Sequence, residues 1–286
     1  MRAHKHRDVW KYAGIVGLLI LSVFSLYYTI GFFKFFHTSL DNYVMQVMEE
    51  LHVPGVALAI IKDDAITYIK GYGVLEVGKP DKITGDTPFQ IGSCSKAFTA
   101  AALALLVDEG KITWNDKTHT LLPDFKLYDS YVTKELIIAD MLSHRSGIED
   151  IGLLCFLSPL SRDQLIHQMR YLSPVVDFRI SAVYNNFMYL AAGQIVPQVA
   201  GMSWDDFISQ RFFEPLAMKD STANIRVLKN QAILAKPHML VHDKIISMIP
   251  LDLYNVGPAG SIISTARDMA QWVRMLLNNG QYEGSI

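Results

Sequence analysis

The chain has 286 residues, half of them hydrophobic, enough to bury the core of one large domain. Its 26 basic and 28 acidic side chains leave a formal charge of −2, and no long Lys/Arg run lies outside the first residues, so nucleic acid is not an expected partner. Two cysteines, Cys94 and Cys155, are too few for a disulfide framework and lack zinc-ligand spacing, and no cofactor or metal site is signalled.

The first element is a membrane anchor. Ala13 to Phe33 holds no charged residue, and as a helix it spans roughly 30 Å, the thickness of a bilayer's hydrocarbon core. Arg2, Lys5, Arg7 and Lys11 precede it, whereas only Lys34 follows closely. The positive-inside rule then leaves residues 1–37 as a cytoplasmic N-terminus plus one transmembrane helix, with everything after residue 37 on the periplasmic or extracellular side of the cytoplasmic membrane. Phe32, Phe33, Phe35 and Phe36 make a poor signal-peptidase site, so the anchor is read as uncleaved.

Leu40, Val44, Val47, Met48 and Leu51 fall at helical spacing, and Pro54-Gly55 ends that helix. Residues 56–61 and 65–69 are apolar runs around Lys62-Asp63-Asp64, a hairpin signal. Glycines punctuate a loop running to Pro88. Residues 93–108 are almost continuously apolar after Lys96 and close at Gly110, which predicts a helix buried on all sides. From Thr113 to Tyr254 short helices and loops dominate. Thr133 can cap a helix through Leu142, and Ser203-Trp204-Asp205-Asp206 reads as a capping box for a helix reaching Phe213. Thr265 caps a last helix whose Met269, Trp272, Val273, Leu276 and Leu277 form one face, and residues 284–286 read as a turn. A two-stranded hairpin is marginal as a sheet, so this α/β plan looks incomplete and something is expected after Ile286.

Ser93-Cys94-Ser95-Lys96 is the only Ser-x-x-Lys in the chain. At i and i+3 of a helix, a hydroxyl and an amine share one face and can share a proton. Serine needs a neighbouring base to become a nucleophile, and lysine serves only where burial lowers its pKa, which an Ala/Leu-rich helix offers. About one chance match is expected in a chain this long, so the tetrapeptide alone is weak. Its place at the start of a helix, where the helix N-terminus favours developing negative charge, strengthens it. Tyr184-Asn185-Asn186 is the only Tyr-x-Asn; alone it reads as a turn into a helix, but after Ser-x-x-Lys it supplies a phenol and an amide for a second proton carrier and a substrate hydrogen bond.

Several landmarks then occur in one order: residues 89–96 around Ser93, the turn Leu142-Ser143-His144-Arg145-Ser146-Gly147, Tyr184-Asn185-Asn186, and residues 202–216 and 260–277. Together they resemble class C β-lactamases, penicillin-binding DD-peptidases and related esterases over nearly the whole chain beyond the anchor. The resemblance implies an α/β fold of two lobes, an antiparallel sheet flanked by helices plus a mainly helical lobe, in residues 38–286. It implies that Ser93 attacks an amide or ester carbonyl to form an acyl-enzyme, that Lys96 and Tyr184 shuttle the proton, and that Asn186 orients the substrate. Which residue is the acylation base stays open. The absence of Ser-Asp-Asn favours the class C type. Expected substrates are a β-lactam, a peptidoglycan D-Ala peptide or a small ester, with the lipid bilayer as the partner of residues 13–33.

One departure is serious. The family's third motif, Lys or His followed by Ser/Thr and Gly, lies on a late strand that carries half of the oxyanion hole, and no such triplet follows Tyr184. Losing one oxyanion donor costs on the order of 10²–10³ in rate. The expectation is a chain truncated before its last strands, with little or no activity as it stands. The rivals are an acylated penicillin sensor and a non-catalytic anchored fragment. Other motifs fail: Gly73 to Lys79 mimics a phosphate loop but meets Pro80, and His238 and His242 have the spacing of a zinc helix without its Glu. His144 is read as a turn residue.

Overall fold

A computed structural model describes residues 38–150, 152, 158–228 and 233–283. The stretch 13–33 expected to cross a membrane and the expected turn at 284–286 therefore lie outside the described residues. No helix among the described residues is long and apolar enough to cross a membrane. The chain divides into two compact units, Met1–Val53 and Pro54–Ile286.

In the first unit, helix α1 (38–50) has the expected period: Leu40, Val44, Val47 and Met48 are partly buried. Leu51 falls beyond the helix end and is exposed.

The second unit opens with the expected hairpin. Strands β1 (Gly55–Lys62) and β2 (Ala65–Gly73) pair antiparallel, with an irregularity at Ile60/Ile61. Asp63 and Asp64 both take left-handed backbone (φ 50° and 57°), as a tight two-residue connection between twisted strands requires. Among the described residues β1 pairs only with β2. Instead of one larger sheet there are two further two-stranded sheets. One joins β3 (Phe89–Gln90) to β6 (Ile263–Ser264), and the other joins β4 (His238–Val241) to β5 (Lys244–Ser247). The last pair agrees with setting the zinc-helix motif aside: His238 opens strand β4 and His242 lies in the turn beyond it, so the two do not share a helical face. His238 Nε2 instead accepts a hydrogen bond from the Val77 N–H.

Helix α2 (Ser95–Asp108) follows a 3₁₀ turn at Gly92–Cys94 and ends, as read, at Gly110, which takes φ +69°. It is not buried on all sides. Phe98, Ala102, Leu103 and Leu106 are fully covered, whereas Ala97 is exposed and Ala101 and Leu105 are only partly covered. The apolar back of this helix consists largely of alanine, whose small surface costs little when left in water. Its covered face meets helix α3 (Asn186–Ala200) and the short turn Gly257–Gly260. Phe98 stacks on Trp272 at 4.0 Å between ring centroids, and Phe212 and Phe213 meet it edge-on.

Asn185 caps α3 by accepting from the Met188 N–H at 3.0 Å. Gly193 explains how the Gly257–Gly260 turn gets so close. A Cβ there would sit 2.2 Å from Pro258 Cγ, so only a glycine permits this approach. The remaining helices match in part. Ser203 caps Trp204–Ile208, which continues as one π turn to Phe213, and Thr265 caps α4 (Ala266–Leu277). On α4 Trp272 is buried, but Leu276 and Leu277 are exposed, so the expected apolar face is covered only along its first turns. The helix read from Thr133 to Leu142 is two helices, Ser130–Glu135 and Ile138–Leu142. Leu136 and Ile137 are extended between them, and the cap is Asp129, whose carboxylate accepts from the Tyr131 and Val132 N–H groups.

Candidate active site

The β3–β6 pair delivers the nucleophile helix. Phe89 lies opposite Ser264 and Gln90 opposite Ile263, and the Ile91 N–H donates to the Ile262 carbonyl at 3.0 Å. Gly92 then turns the chain at φ +52° into the 3₁₀ turn that carries Ser93. Ser95 Oγ accepts from the Ile262 N–H, which ties the head of α2 to β6. The Ser93 side is exposed, while one turn on Lys96 is only 7% exposed.

Residues 93, 96, 184 and 186, far apart in sequence, meet here. Tyr184 Oη lies 2.6 Å from Ser93 Oγ. Lys96 Nζ donates to Ser93 Oγ at 3.2 Å, to Asn186 Oδ1 at 2.6 Å and to the Ala259 carbonyl at 2.8 Å. An ammonium has three N–H donors, and these three acceptors use them all. The arrangement has a directional consequence. A neutral lysine keeps two N–H groups and gains one lone pair. Two of its neighbours are carbonyl oxygens that can only accept, so the lone pair is left facing Ser93. Burial lowers the Lys96 pKa, opposed by the neighbouring Tyr184 and by the charge of Asp150.

Thr99 Oγ1 donates to the Pro258 carbonyl at 2.7 Å, holding the turn whose next carbonyl receives Lys96. Sequence reading had no means to find Ala259, because the functional atom belongs to the backbone.

Tyr184 and Asn186 are placed by the turn Leu142–Gly147. The His144 carbonyl accepts from the Val183 N–H at 2.8 Å, and its Nδ1 accepts from the Asn185 N–H at 3.1 Å. The His144 ring also packs on Tyr184 and Tyr189, with centroids 4.7 and 5.1 Å away. Burial and the Lys96 charge lower the His144 pKa. His144 is thus the turn residue it was read to be, at φ +59°, and also the platform for the phenol. Gly147 at φ +81° lets this turn lie against the Val176 carbonyl, where a Cβ would come within 2.3 Å. Asp140, fully buried, anchors the other side: its carboxylate takes the guanidinium groups of Arg145 and Arg179. Burial pushes Asp140 up, but hydrogen bonds from Arg179, Arg145 and the Ile137 N–H outweigh it, so the carboxyl titrates below its usual range.

Asn186 is engaged at both ends of its amide. Its oxygen receives Lys96, and its Nδ2 donates to Asp150 Oδ2. A substrate contact at Asn186 would therefore use the second N–H of Nδ2 or the second lone pair of Oδ1. Sequence reading missed Asp150, and residue type alone gave no signal for it. Cys94, beside the nucleophile, is a free exposed thiol, and Cys155 lies outside the described residues. Among the described residues no group of three or more His, Cys, Asp or Glu is placed to hold a metal.

The chain is similar to known proteins over most of its length. The family model described as Beta-lactamase matches residues 40–285. An unguisins hydrolase of Aspergillus campestris is 30% identical over 246 residues, which cover 82% of this chain and 46% of that protein. Penicillin-binding protein 4 of Amycolatopsis lactamdurans is 32% identical over 241 residues, covering 81% of this chain and 61% of its own. The chain thus spans about half the length of the curated relatives it matches. An octameric penicillin-binding protein homologue from Pyrococcus abyssi superposes with a TM-score of 0.75 at 25% identity, covering 85% of this chain and 57% of the other. A D-amino acid amidase from Ochrobactrum anthropi shares the fold, with a TM-score of 0.73 at 24% identity, covering 85% and 70%.

Proposed function

The chain belongs to the beta-lactamase family, and from that premise we propose that it is a serine hydrolase acting on an amide or ester through an acyl-enzyme at Ser93. The observation that carries this reading is the exhaustion of the Lys96 donors on two carbonyls and Ser93, which leaves the neutral amine's lone pair one place to point. Ser93 Oγ attacks the substrate carbonyl carbon. Its proton passes to Lys96, directly or through Tyr184 Oη, and then to the leaving amine or alcohol as that bond breaks. Water later attacks the ester at Ser93, with the same groups taking its proton. Asn186 holds Lys96 in place and offers its remaining N–H or lone pair to the substrate. Candidate substrates are a β-lactam, a D-Ala peptide or a small ester. The similarity to an unguisins hydrolase and a penicillin-binding protein supports the class without choosing within it.

Residues 1–286 carry no Lys/His-Ser/Thr-Gly triplet after Tyr184, so this span is proposed to have little or no hydrolytic turnover. Incubation with a chromogenic cephalosporin, a nitrophenyl ester and a fluorescent penicillin tests this. The expected result is labelling with turnover at least 10²-fold below ordinary family rates. Turnover at ordinary rates contradicts the impairment, and no labelling by any probe contradicts the enzyme reading. Stable labelling without turnover favours the acylated sensor.

Residues 13–33 are proposed to hold the domain at the outer face of a cytoplasmic membrane, on the strength of their length, lack of charge and basic N-terminal flank. Sedimentation with membranes after carbonate washing is the expected outcome, and release into the supernatant contradicts it.

A further inference from the structure

We propose that Asp150 is a positioning residue of this site: its carboxylate fixes the Asn186 amide with the oxygen turned toward Lys96 and supplies a nearby negative charge that supports Lys96 as the proton acceptor. The proposal rests on the acyl-transfer reading above.

The geometry begins with the symmetry of an amide. The two ends of an Asn side chain have almost the same shape, so neighbours decide which way it faces. Protonated Lys96 selects the oxygen, because an ammonium can only donate. That selection disappears when Lys96 is neutral, since a neutral amine can equally accept from an amide N–H. A flipped Asn186 would then occupy the lone pair needed by Ser93. Asp150 removes the choice. A carboxylate is an acceptor only, so its contact with Asn186 Nδ2 holds the amide in one orientation whichever form Lys96 takes.

The second element is charge. Among the described residues no Lys or Arg forms an ion pair with Asp150, and its Oδ1, buried, has no hydrogen-bond partner there. Its field therefore falls on the groups nearest to it. The charged and titratable groups around Lys96 are Asp150, the rings of Tyr184 and Tyr189 at 4.8 and 5.5 Å, and His144, which burial keeps neutral more readily than usual. Of these, Asp150 is the only carboxylate. Burial makes Lys96 a weaker base, and the Asp150 charge opposes that effect.

Two variants separate the two roles. Asp150→Asn keeps an acceptor oxygen for Asn186 but removes the charge, while Asp150→Leu removes both. NMR of the full chain carrying ¹³C-labelled lysine, with the Lys96 signal assigned from Lys96→Arg, reads the Lys96 titration without needing any reaction. The expected result is a fall of about 0.5–1 pH unit in Asp150→Asn. The acid limb of Ser93 acylation by a fluorescent penicillin or nitrophenyl ester should move down with it. Asp150→Leu should in addition lower the plateau acylation rate about tenfold or more, with the probe's half-saturating concentration little changed. An unmoved Lys96 titration in Asp150→Asn overturns the proposal, whatever the acylation does. Absence of acylation in the unaltered chain, with the titration shift present, removes the acyl-transfer reading while leaving the link between Asp150 and Lys96 standing. Equal plateau rates in all three chains would show that Asp150 does not hold the amide.

Discussion

Replacing Lys96 with methionine should slow acylation of Ser93 by 10³-fold or more, the loss expected when a nucleophile's general base is removed. Methionine nearly keeps the length and apolar stem of lysine, so helix α2 should still pack. The cost is local: Asn186 Oδ1 and the Ala259 carbonyl lose their donor, and each buried unsatisfied acceptor costs about 1–3 kcal/mol. A melting curve taken with the kinetics keeps this stability loss apart from the rate loss. Lys96→Arg makes the chemical distinction. If the site needs only a positive charge, arginine should preserve much of the rate. If it needs a proton acceptor, arginine should be nearly as slow as methionine, because its guanidinium does not release a proton in the accessible range. The pH dependence has a definite sign. Acylation needs neutral Lys96, so the rate falls as pH drops through the lysine's pKa, which burial has lowered from its ordinary value.

Replacing Asp140 with alanine should cost roughly 2–4 kcal/mol of stability. The carboxylate is fully buried and receives three charge-assisted contacts from Arg179, one from Arg145, and the Ile137 N–H. The two arginines are 37% and 44% exposed, so they can rehydrate when the carboxylate goes, which keeps the cost below that of a sealed ion pair. The turn carrying His144 and the segment carrying Tyr184 are joined through this cluster. Acylation should therefore fall along with the melting temperature, and a chain that keeps its melting temperature would contradict the anchor role. The folded-state pKa of Asp140 lies below its unfolded value, so its contribution is complete above about pH 4 and fades as pH falls through the lowered pKa. Alanine at 140 should accordingly flatten the acid side of the stability profile.

The hairpin, the nucleophile helix and the caps at Ser203 and Thr265 were legible in sequence because each is written locally, in Asp-Asp between β runs or a hydroxyl before an apolar period. The encounter of Ser93, Lys96 and Tyr184 was legible only as ordered landmarks, since it depends on contacts across 91 residues. What sequence could not reveal falls into two kinds. Ala259 acts through a carbonyl, and its placement depends on a glycine at 193 that admits Pro258, with no side-chain signature. Asp150 and Asp140 are ordinary acidic residues until folding buries one beneath two arginines and turns the other toward an amide. The break at Leu136–Ile137 was missed for a different reason: propensity favoured one continuous helix, but the Ile138 and Ala139 N–H groups bond to Asp116 and Trp114, so tertiary pairing wins.

Acyl transfer at this site requires that the oxygen at position 93 be deprotonated by the amine one turn below it. Peptide mapping by mass spectrometry after brief incubation with a penicillin or an activated ester tests this directly, with Cys94→Ala as the background so that the neighbouring thiol cannot be mistaken for the nucleophile. The predicted result is one acyl adduct on the peptide containing Ser93, present in the Cys94→Ala chain and lost when Lys96→Met is added. An adduct on another residue, or one on Ser93 that persists at full rate without Lys96, would contradict it.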